Sequence, residues 1–82
     1  MKIKYFAWLK EITKTESEIV NDISIRDINS LKLFICKKHP KLNSYLAKKS
    51  TIRIAVNLVY CPLNKKIKPG DEIAFFPPVS GG

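Results

Sequence analysis

A single amphipathic helix, set between two groups of short strand patterns, is the feature that most constrains how this chain can fold. Asp27 is a suitable N-cap because its carboxylate can accept hydrogen bonds from the free amides of a first helical turn. Apolar residues then recur at helical spacing at Ile28, Leu31 and Ile35, and Pro40 ends the segment. A helix with one apolar face needs a second layer to cover it, and the strand patterns predict that this layer is a sheet.

The strand patterns are short runs of alternating, β-branched or aromatic residues. They predict strands over residues 2–9, 16–20, 51–57, 58–61 and 72–76. Residues 10–15 and 40–50 are predicted to be polar connectors, and Leu46 and its neighbour Tyr45 are expected to hold the second connector against the core. The stretch from Lys68 to Asp71 predicts a tight turn, because its proline restricts φ and its glycine permits positive φ.

This order of elements predicts an α+β fold, with a mixed sheet of four to five strands packed on one main helix. By analogy with the β-grasp of ubiquitin-like proteins, we expect the first and last strands to be parallel neighbours at the centre of the sheet. We expect one β-grasp domain over residues 1–76 and an extended C-terminal tail over residues 77–82.

Composition argues against several classes of function. The longest apolar runs are too short to cross a bilayer and no secretory leader is visible, so we expect a cytoplasmic protein without a membrane partner. The net charge of +8 is compatible with nucleic-acid binding, but the lysines are dispersed and only two basic residues are arginines. We therefore expect no nucleic-acid partner and treat such binding as the weaker alternative.

Metal binding and self-contained catalysis find little support in the sequence. The two cysteines, Cys36 and Cys61, belong to no CxxC pair, and the one histidine, His39, has no partner of its own type. No carboxylate pair or glycine-rich phosphate loop is present either. We expect two reduced, partly buried thiols, a histidine that acts as a favourable charge near a helix C-terminus, and no metal site.

Strand alternation places aromatic side chains on the face of the sheet that should meet water. Lys2, Lys4, Phe6 and Trp8 share one face of the first strand, and Phe76 points to the same side from the last strand. We interpret Phe6, Trp8 and Phe76 as a contact surface, because an exposed aromatic patch on a small domain usually marks an interface.

The C-terminal tail is the part of the chain best suited to chemistry, and it consists of Pro77, Pro78, Val79, Ser80, Gly81 and Gly82. The prolines favour an extended path away from the sheet, and the glycines can pass through a narrow channel. A partner enzyme that uses ATP can adenylate the Gly82 carboxylate. Displacement of AMP by sulfide or a persulfide would then give a thiocarboxylate, whereas attack by an amine would give an isopeptide-linked modifier, and the residues leave both uses open.

The last 13 residues, which read GDEIAFFPPVSGG, resemble the C-terminal signature of the small subunit of molybdopterin synthase. The segments Ala55-Val56-Asn57 and Tyr5-Phe6-Ala7 are similar to that family too, so the resemblance covers the full chain. It implies a ubiquitin-like sulfur carrier on which an E1-like enzyme uses ATP to adenylate Gly82. A sulfur donor such as a cysteine desulfurase or a rhodanese would convert this group to a thiocarboxylate, which donates sulfur to cyclic pyranopterin monophosphate and so builds the dithiolene of molybdopterin.

The resemblance also implies a partner and a docking site. The partner is the large subunit of the synthase, in a heterotetramer of two small and two large subunits, with the catalytic residues on the large subunit and no permanently bound cofactor. Phe6, Tyr60 and Phe76 fall where the family places its hydrophobic contact with that subunit. A sulfur carrier for thiamine, tRNA or cysteine synthesis and a conjugated protein modifier remain the alternatives.

Overall fold

A computed structural model describes residues 1–46, 52–62 and 64–77. These residues form a mixed five-stranded sheet with one main helix. In chain order the elements are β1 (Lys2–Tyr5), α1 (Leu9–Thr13), β2 (Ser17–Ile19), α2 (Ile28–Lys38), α3 (Asn43–Leu46), β3 (Arg53–Val56), β4 (Val59–Tyr60) and β5 (Glu72–Phe76). A turn of 3-10 helix at Pro40–Leu42 leads into α3. No helix in the described part of the chain is long and apolar enough to cross a membrane.

The sheet has the strand order β2-β1-β5-β3-β4, so the first and last strands lie side by side near its centre. They pair in parallel, with Ile3 opposite Ile73 and Tyr5 opposite Phe75. The other three strand pairs are antiparallel. The predicted α+β, ubiquitin-like β-grasp architecture is therefore confirmed, including the parallel pair that was expected by analogy.

The hydrophobic core lies between α2 and the inner face of the sheet. Ile28, Leu31 and Ile35, which define the apolar stripe of the helix, are fully buried in one cluster with Ile3 and Phe75. Burying each such side chain contributes roughly 1.5–3 kcal/mol relative to leaving it in water. The helical period read from the sequence therefore identified the core face correctly.

Asp27 begins α2 as predicted, through a reciprocal pair of hydrogen bonds. Its carboxylate accepts from the Ser30 amide at 2.8 Å, and the Ser30 hydroxyl oxygen accepts from the Asp27 amide at 3.2 Å. This capping box satisfies two amides at the start of the helix. The helix ends at Lys38, and His39 precedes Pro40 as its C-cap.

The first strand ends earlier than predicted, at Tyr5 rather than at residue 9. Ala7 adopts a left-handed φ of 53°, and the chain then enters α1 where a strand end and a polar connector were expected. Leu9 and Thr13 are buried one helical turn apart, and the Thr13 hydroxyl donates to the Leu9 carbonyl. The aromatic composition of residues 5–9 favours a strand locally, but the burial of this turn in the tertiary fold overrides that preference.

The segment after α2 is more helical than the predicted connector. Leu42 and Leu46 are both buried, so Leu46 holds this segment against the core as expected. Residues 47–51, where the connector was predicted to lead into the third strand, lie outside the described residues. The predicted turn is present, with Gly70 at a φ of 93° and a hydrogen bond from the Asp71 amide to the Lys68 carbonyl.

Candidate functional site

Three aromatic side chains meet on the outer face of the sheet, on the side away from α2. The rings of Phe6 and Phe76 stack with centroids 4.6 Å apart and an interplanar angle of 14°. The ring of Tyr60 meets the ring of Phe76 edge-on, with the two centroids 5.9 Å apart. We refer to Phe6, Tyr60 and Phe76 as the outer aromatic cluster. The predicted meeting of Phe6 and Phe76 is confirmed, whereas their role in partner binding remains a prediction.

The register of the sheet explains why these rings converge. Residues directly opposite each other on adjacent strands have side chains on the same face. Phe76 lies opposite Arg53, and Tyr60 lies opposite Ala55, which in turn lies opposite Ala74. The small alanines between the aromatic positions leave the larger rings prominent on the outer face.

Two cations border the outer aromatic cluster. The ammonium of Lys4 lies 5.7 Å from the ring centroid of Phe6, and the guanidinium of Arg53 lies 5.8 Å from that of Tyr60. Lys4 also forms a half-exposed ion pair with Glu72 at 3.5 Å. The cluster is therefore an apolar patch with a cationic edge, which suits a partner surface that is apolar at its centre and acidic around it.

Trp8 does not belong to this patch, and its predicted place beside Phe6 was wrong. The Phe6 amide still donates to the Phe75 carbonyl at 3.1 Å, so Phe6 continues the pairing of β1 with β5. The left-handed turn at Ala7 then redirects the chain, and the indole of Trp8 packs against Tyr45 of α3, with centroids 5.0 Å apart. Side chains alternate between the two faces of a sheet only within a strand, and β1 has ended before Trp8.

A second group of polar side chains, which sequence reasoning missed, lies between β2 and the end of α2. The Glu18 carboxylate accepts a hydrogen bond from the Tyr5 hydroxyl at 2.5 Å and lies 2.8 Å from Nε2 of His39. The Lys38 ammonium forms an ion pair with the other Glu18 oxygen at 2.5 Å. These residues are 13 to 21 positions apart in sequence from Glu18, so no local pattern could have grouped them.

The charge state of Glu18 follows from these contacts. Burial raises the pKa of its carboxyl, but hydrogen bonds from Lys38, Tyr5 and His39 outweigh burial and lower the pKa to about 2. Burial and the neighbouring Glu18 carboxylate raise the pKa of the Tyr5 hydroxyl, which therefore stays protonated and donates. The arrangement ties β1, β2 and α2 together, and we assign it a structural role.

The remaining reactive side chains do not form a catalytic centre in the structure. Cys36 and Cys61 are free, half-buried thiols, and burial raises the pKa of both, so neither is activated as a nucleophile. Within residues 1–46, 52–62 and 64–77, no group of three or more His, Cys, Asp or Glu side chains could hold a metal ion.

The tail begins directly beside the outer aromatic cluster. Phe76 is the last residue of β5, and Pro77 follows it without a linker. The other tail residues named as candidates lie outside the described residues, namely Pro78, Val79, Ser80, Gly81 and Gly82. Their role stays a prediction, as does the division of the chain into a domain and a tail at residue 76.

Comparison with known proteins identifies close relatives over the whole chain. The model of the ThiS family matches residues 3–82. The molybdopterin synthase sulfur carrier subunit of Homo sapiens is 36% identical over an alignment that covers all of this chain and 93% of that protein. The subunit of the same name from Haemophilus influenzae is 30% identical, and the alignment covers all of this chain and 99% of that protein.

Solved structures agree on the fold. SAMP1 from Haloferax volcanii has a TM-score of 0.86 and 28% identity, with 99% of this chain and 97% of that chain covered. A Helicobacter pylori complex of subunits 1 and 2 of molybdopterin-converting factor contains a chain with a TM-score of 0.67 and 27% identity. The alignment covers 99% of this chain and 96% of that chain. The chain is thus a member of the ThiS family and a relative of the sulfur carrier subunits of molybdopterin synthase.

Proposed function

We propose that this protein is the sulfur-carrying small subunit of a molybdopterin synthase and that Gly82 is its carrier residue. The observation that carries the proposal is the similarity to molybdopterin synthase sulfur carrier subunits, which extends over the whole chain at 30–36% identity. The outer aromatic cluster supports the proposal, because the tail begins beside these exposed rings. A partner that binds the tail would therefore also cover them.

The proposed chemistry starts from a carboxylate, which is a poor electrophile. An E1-like enzyme transfers AMP from ATP to the Gly82 carboxylate and releases pyrophosphate. A cysteine desulfurase or a rhodanese supplies the sulfur as an enzyme persulfide, whose terminal sulfur attacks the acyl carbon and displaces AMP. A thiol reductant then cleaves the resulting acyl disulfide, which releases the thiocarboxylate and leaves a disulfide on the donor. Glycine suits this position because the acyl group has no side chain that would hinder attack or entry into a narrow active site.

The proposed role in the synthase is that of a cosubstrate. The tail carries the thiocarboxylate into the large subunit, whose residues transfer the sulfur to cyclic pyranopterin monophosphate, while Phe6, Tyr60 and Phe76 form the apolar contact. A dithiolene has two sulfur atoms, so two carriers serve each product, in keeping with a heterotetramer of two small and two large subunits. The Helicobacter pylori complex of subunits 1 and 2 supports the large subunit as partner.

Intact mass spectrometry tests the carrier role. The protein, incubated with its adenylating enzyme, ATP and a sulfur source, should gain the mass difference between sulfur and oxygen, and fragmentation should localise the gain to Gly82. Deletion of Gly82 should abolish this change and leave the circular dichroism spectrum intact. A mass that stays unmodified in the presence of active adenylating enzyme would contradict the proposal.

A ubiquitin-like protein modifier is the second candidate, favoured by the structural similarity to small archaeal modifier protein 1. In this case an amine of a target lysine, rather than a persulfide, attacks the Gly82 adenylate and forms an isopeptide bond. Lysate adducts that carry Gly82 on a lysine and disappear on its deletion would support this candidate. Absence of such adducts, together with the thiocarboxylate mass, would favour the sulfur carrier.

A further inference from the structure

The hairpin of β3 and β4 exposes three large apolar side chains in a row. Leu58, Val59 and Tyr60 are consecutive, and their exposed fractions are 88%, 66% and 62%. Tyr60 also belongs to the outer aromatic cluster through its contact with Phe76. The outer aromatic cluster therefore extends from Phe6 through Phe76 to Tyr60 in the edge strand β4.

A groove rich in lysine lies directly beside this hairpin. It has a volume of about 720 Å³, and Val59, Tyr60, Cys61 and Ile67 contribute apolar walls. Three further lining residues share a positive charge and an exposed position, namely Lys65, Lys66 and Lys68. We refer to this feature as the lysine groove.

The positive charge of the lysine groove is only partly compensated. None of the ion pairs formed among the described residues includes Lys65, Lys66 or Lys68. Asp71 is the one carboxylate among the groove's described lining residues, and its oxygens already accept from the Asn57 side-chain amide at 3.0 Å and the Lys68 backbone amide at 2.9 Å. The Asp71 carboxylate attracts Lys65 and Lys68, and the Asp27 carboxylate attracts Lys66, to which its residue is bridged, so three cations face two carboxylates.

The groove and the cluster share Tyr60, so a partner that covers the aromatic rings comes within reach of the lysines. Carboxylates on that partner would neutralise the groove, and electrostatic complementarity of this kind raises both the rate and the specificity of association. Nucleic acid fits the groove less well, because the cations that line the groove are all lysines and none is an arginine.

We propose that the lysine groove is a second docking site, which binds an acidic segment of the same partner protein that covers the outer aromatic cluster. This inference rests on the proposed function, since the partner it invokes is the large subunit of the synthase. It assigns a purpose to part of the +8 net charge, which the aromatic contact and the tail chemistry leave unexplained.

Charge reversal tests the proposal, with calorimetry of binding to the large subunit from the same organism at low and high ionic strength. The double variant Lys65→Glu/Lys68→Glu should raise Kd about tenfold or more at low ionic strength and weaken the salt dependence of binding. The matched control, Lys37→Glu/Lys41→Glu, changes the net charge equally on exposed positions of the helical layer. Its Kd should stay within about threefold of wild type, since long-range charge effects are screened.

The outcomes separate the two proposals. If wild type binds and Phe76→Asp weakens binding, but the Lys65→Glu/Lys68→Glu protein matches its control, the lysine groove is not a docking site and the proposed function stands. If wild type does not bind the large subunit, the proposed function itself fails. Salt-dependent binding of a DNA or RNA duplex that only the Lys65→Glu/Lys68→Glu variant loses, with an unchanged Kd for the large subunit, would also overturn the docking proposal. Urea unfolding of both double variants shows whether either change acts through stability.

Discussion

Leu58 occupies a backbone conformation that costs stability, so replacing it by glycine should make the protein more stable. Asn57 and Leu58 form the two-residue turn between β3 and β4, with positive φ values of 50° and 72°. Such hairpin turns favour Asn-Gly because both central residues have positive φ. Asn57 fits this preference, and its side-chain oxygen accepts from the Glu72 amide at 3.0 Å. Leucine at the second position does not.

The magnitude follows from the conformation and the exposure of this side chain. A left-handed conformation costs an L-residue other than glycine roughly 1–2 kcal/mol. Glycine removes that cost but brings a larger loss of backbone entropy on folding, about 0.5–1 kcal/mol. The Leu58 side chain is 88% exposed, so its removal forfeits little burial. We therefore expect Leu58→Gly to stabilise the fold by about 0.5–1 kcal/mol, which is a rise of several degrees in Tm for a domain of this size.

The assay is urea unfolding followed by circular dichroism, with two comparison variants. Leu58→Ala keeps the Cβ atom and the strain, so its free energy of unfolding should stay within about 0.5 kcal/mol of wild type. Gly70→Ala makes the opposite change at a φ of 93°, where a Cβ atom would meet no neighbour, and should lose about 1 kcal/mol.

Two results would refute this reasoning. If Leu58→Gly and Leu58→Ala destabilise the protein equally, the leucine side chain packs against the folded protein and its loss outweighs any relief of backbone strain. If Leu58→Gly is neutral while Gly70→Ala is destabilising, the turn tolerates leucine without strain. In both cases an unchanged dependence of unfolding free energy on urea concentration is needed, because a changed slope would indicate an altered denatured or native ensemble.

Three further predictions test the other features. Glu18→Gln should cost about 1–3 kcal/mol near neutral pH, because it weakens charge-assisted hydrogen bonds to a largely buried carboxylate, whereas Glu11→Gln on an exposed position should be neutral. The lowered pKa of Glu18 means that its contribution is present above its unfolded pKa of about 4.5 and disappears as the pH falls toward 2, so the unfolding free energies of wild type and Glu18→Gln should converge in acid. Phe76→Asp should weaken binding to the large subunit while the protein remains folded, and an unaltered dissociation constant by calorimetry would remove the aromatic contact. Addition of one residue after Gly82 should abolish sulfur transfer in an assay with the large subunit, and undiminished transfer would contradict the carrier role.

Local interactions allowed the sequence to determine much of this protein. The N-cap, the apolar stripe and the terminating proline of α2 act within one or two helical turns, and each was correctly predicted. The alternation of β5 likewise predicted that Phe75 points to the core and Phe76 to the outer face. The candidate tail could be named from the sequence as well, because its prolines and glycines act through their own backbone properties.

Only the tertiary structure decided where these local patterns stop and which distant residues meet. The burial of Leu9 and Thr13 ends β1 early and sends Trp8 to Tyr45, although the local sequence favours a longer strand. The contacts around Glu18 join residues that are 13 to 21 positions apart in the chain, and the lysine groove forms where β3, β4 and the turn before β5 come together. Such contacts depend on strand order and register, which a single sequence specifies only through the energy of the whole fold.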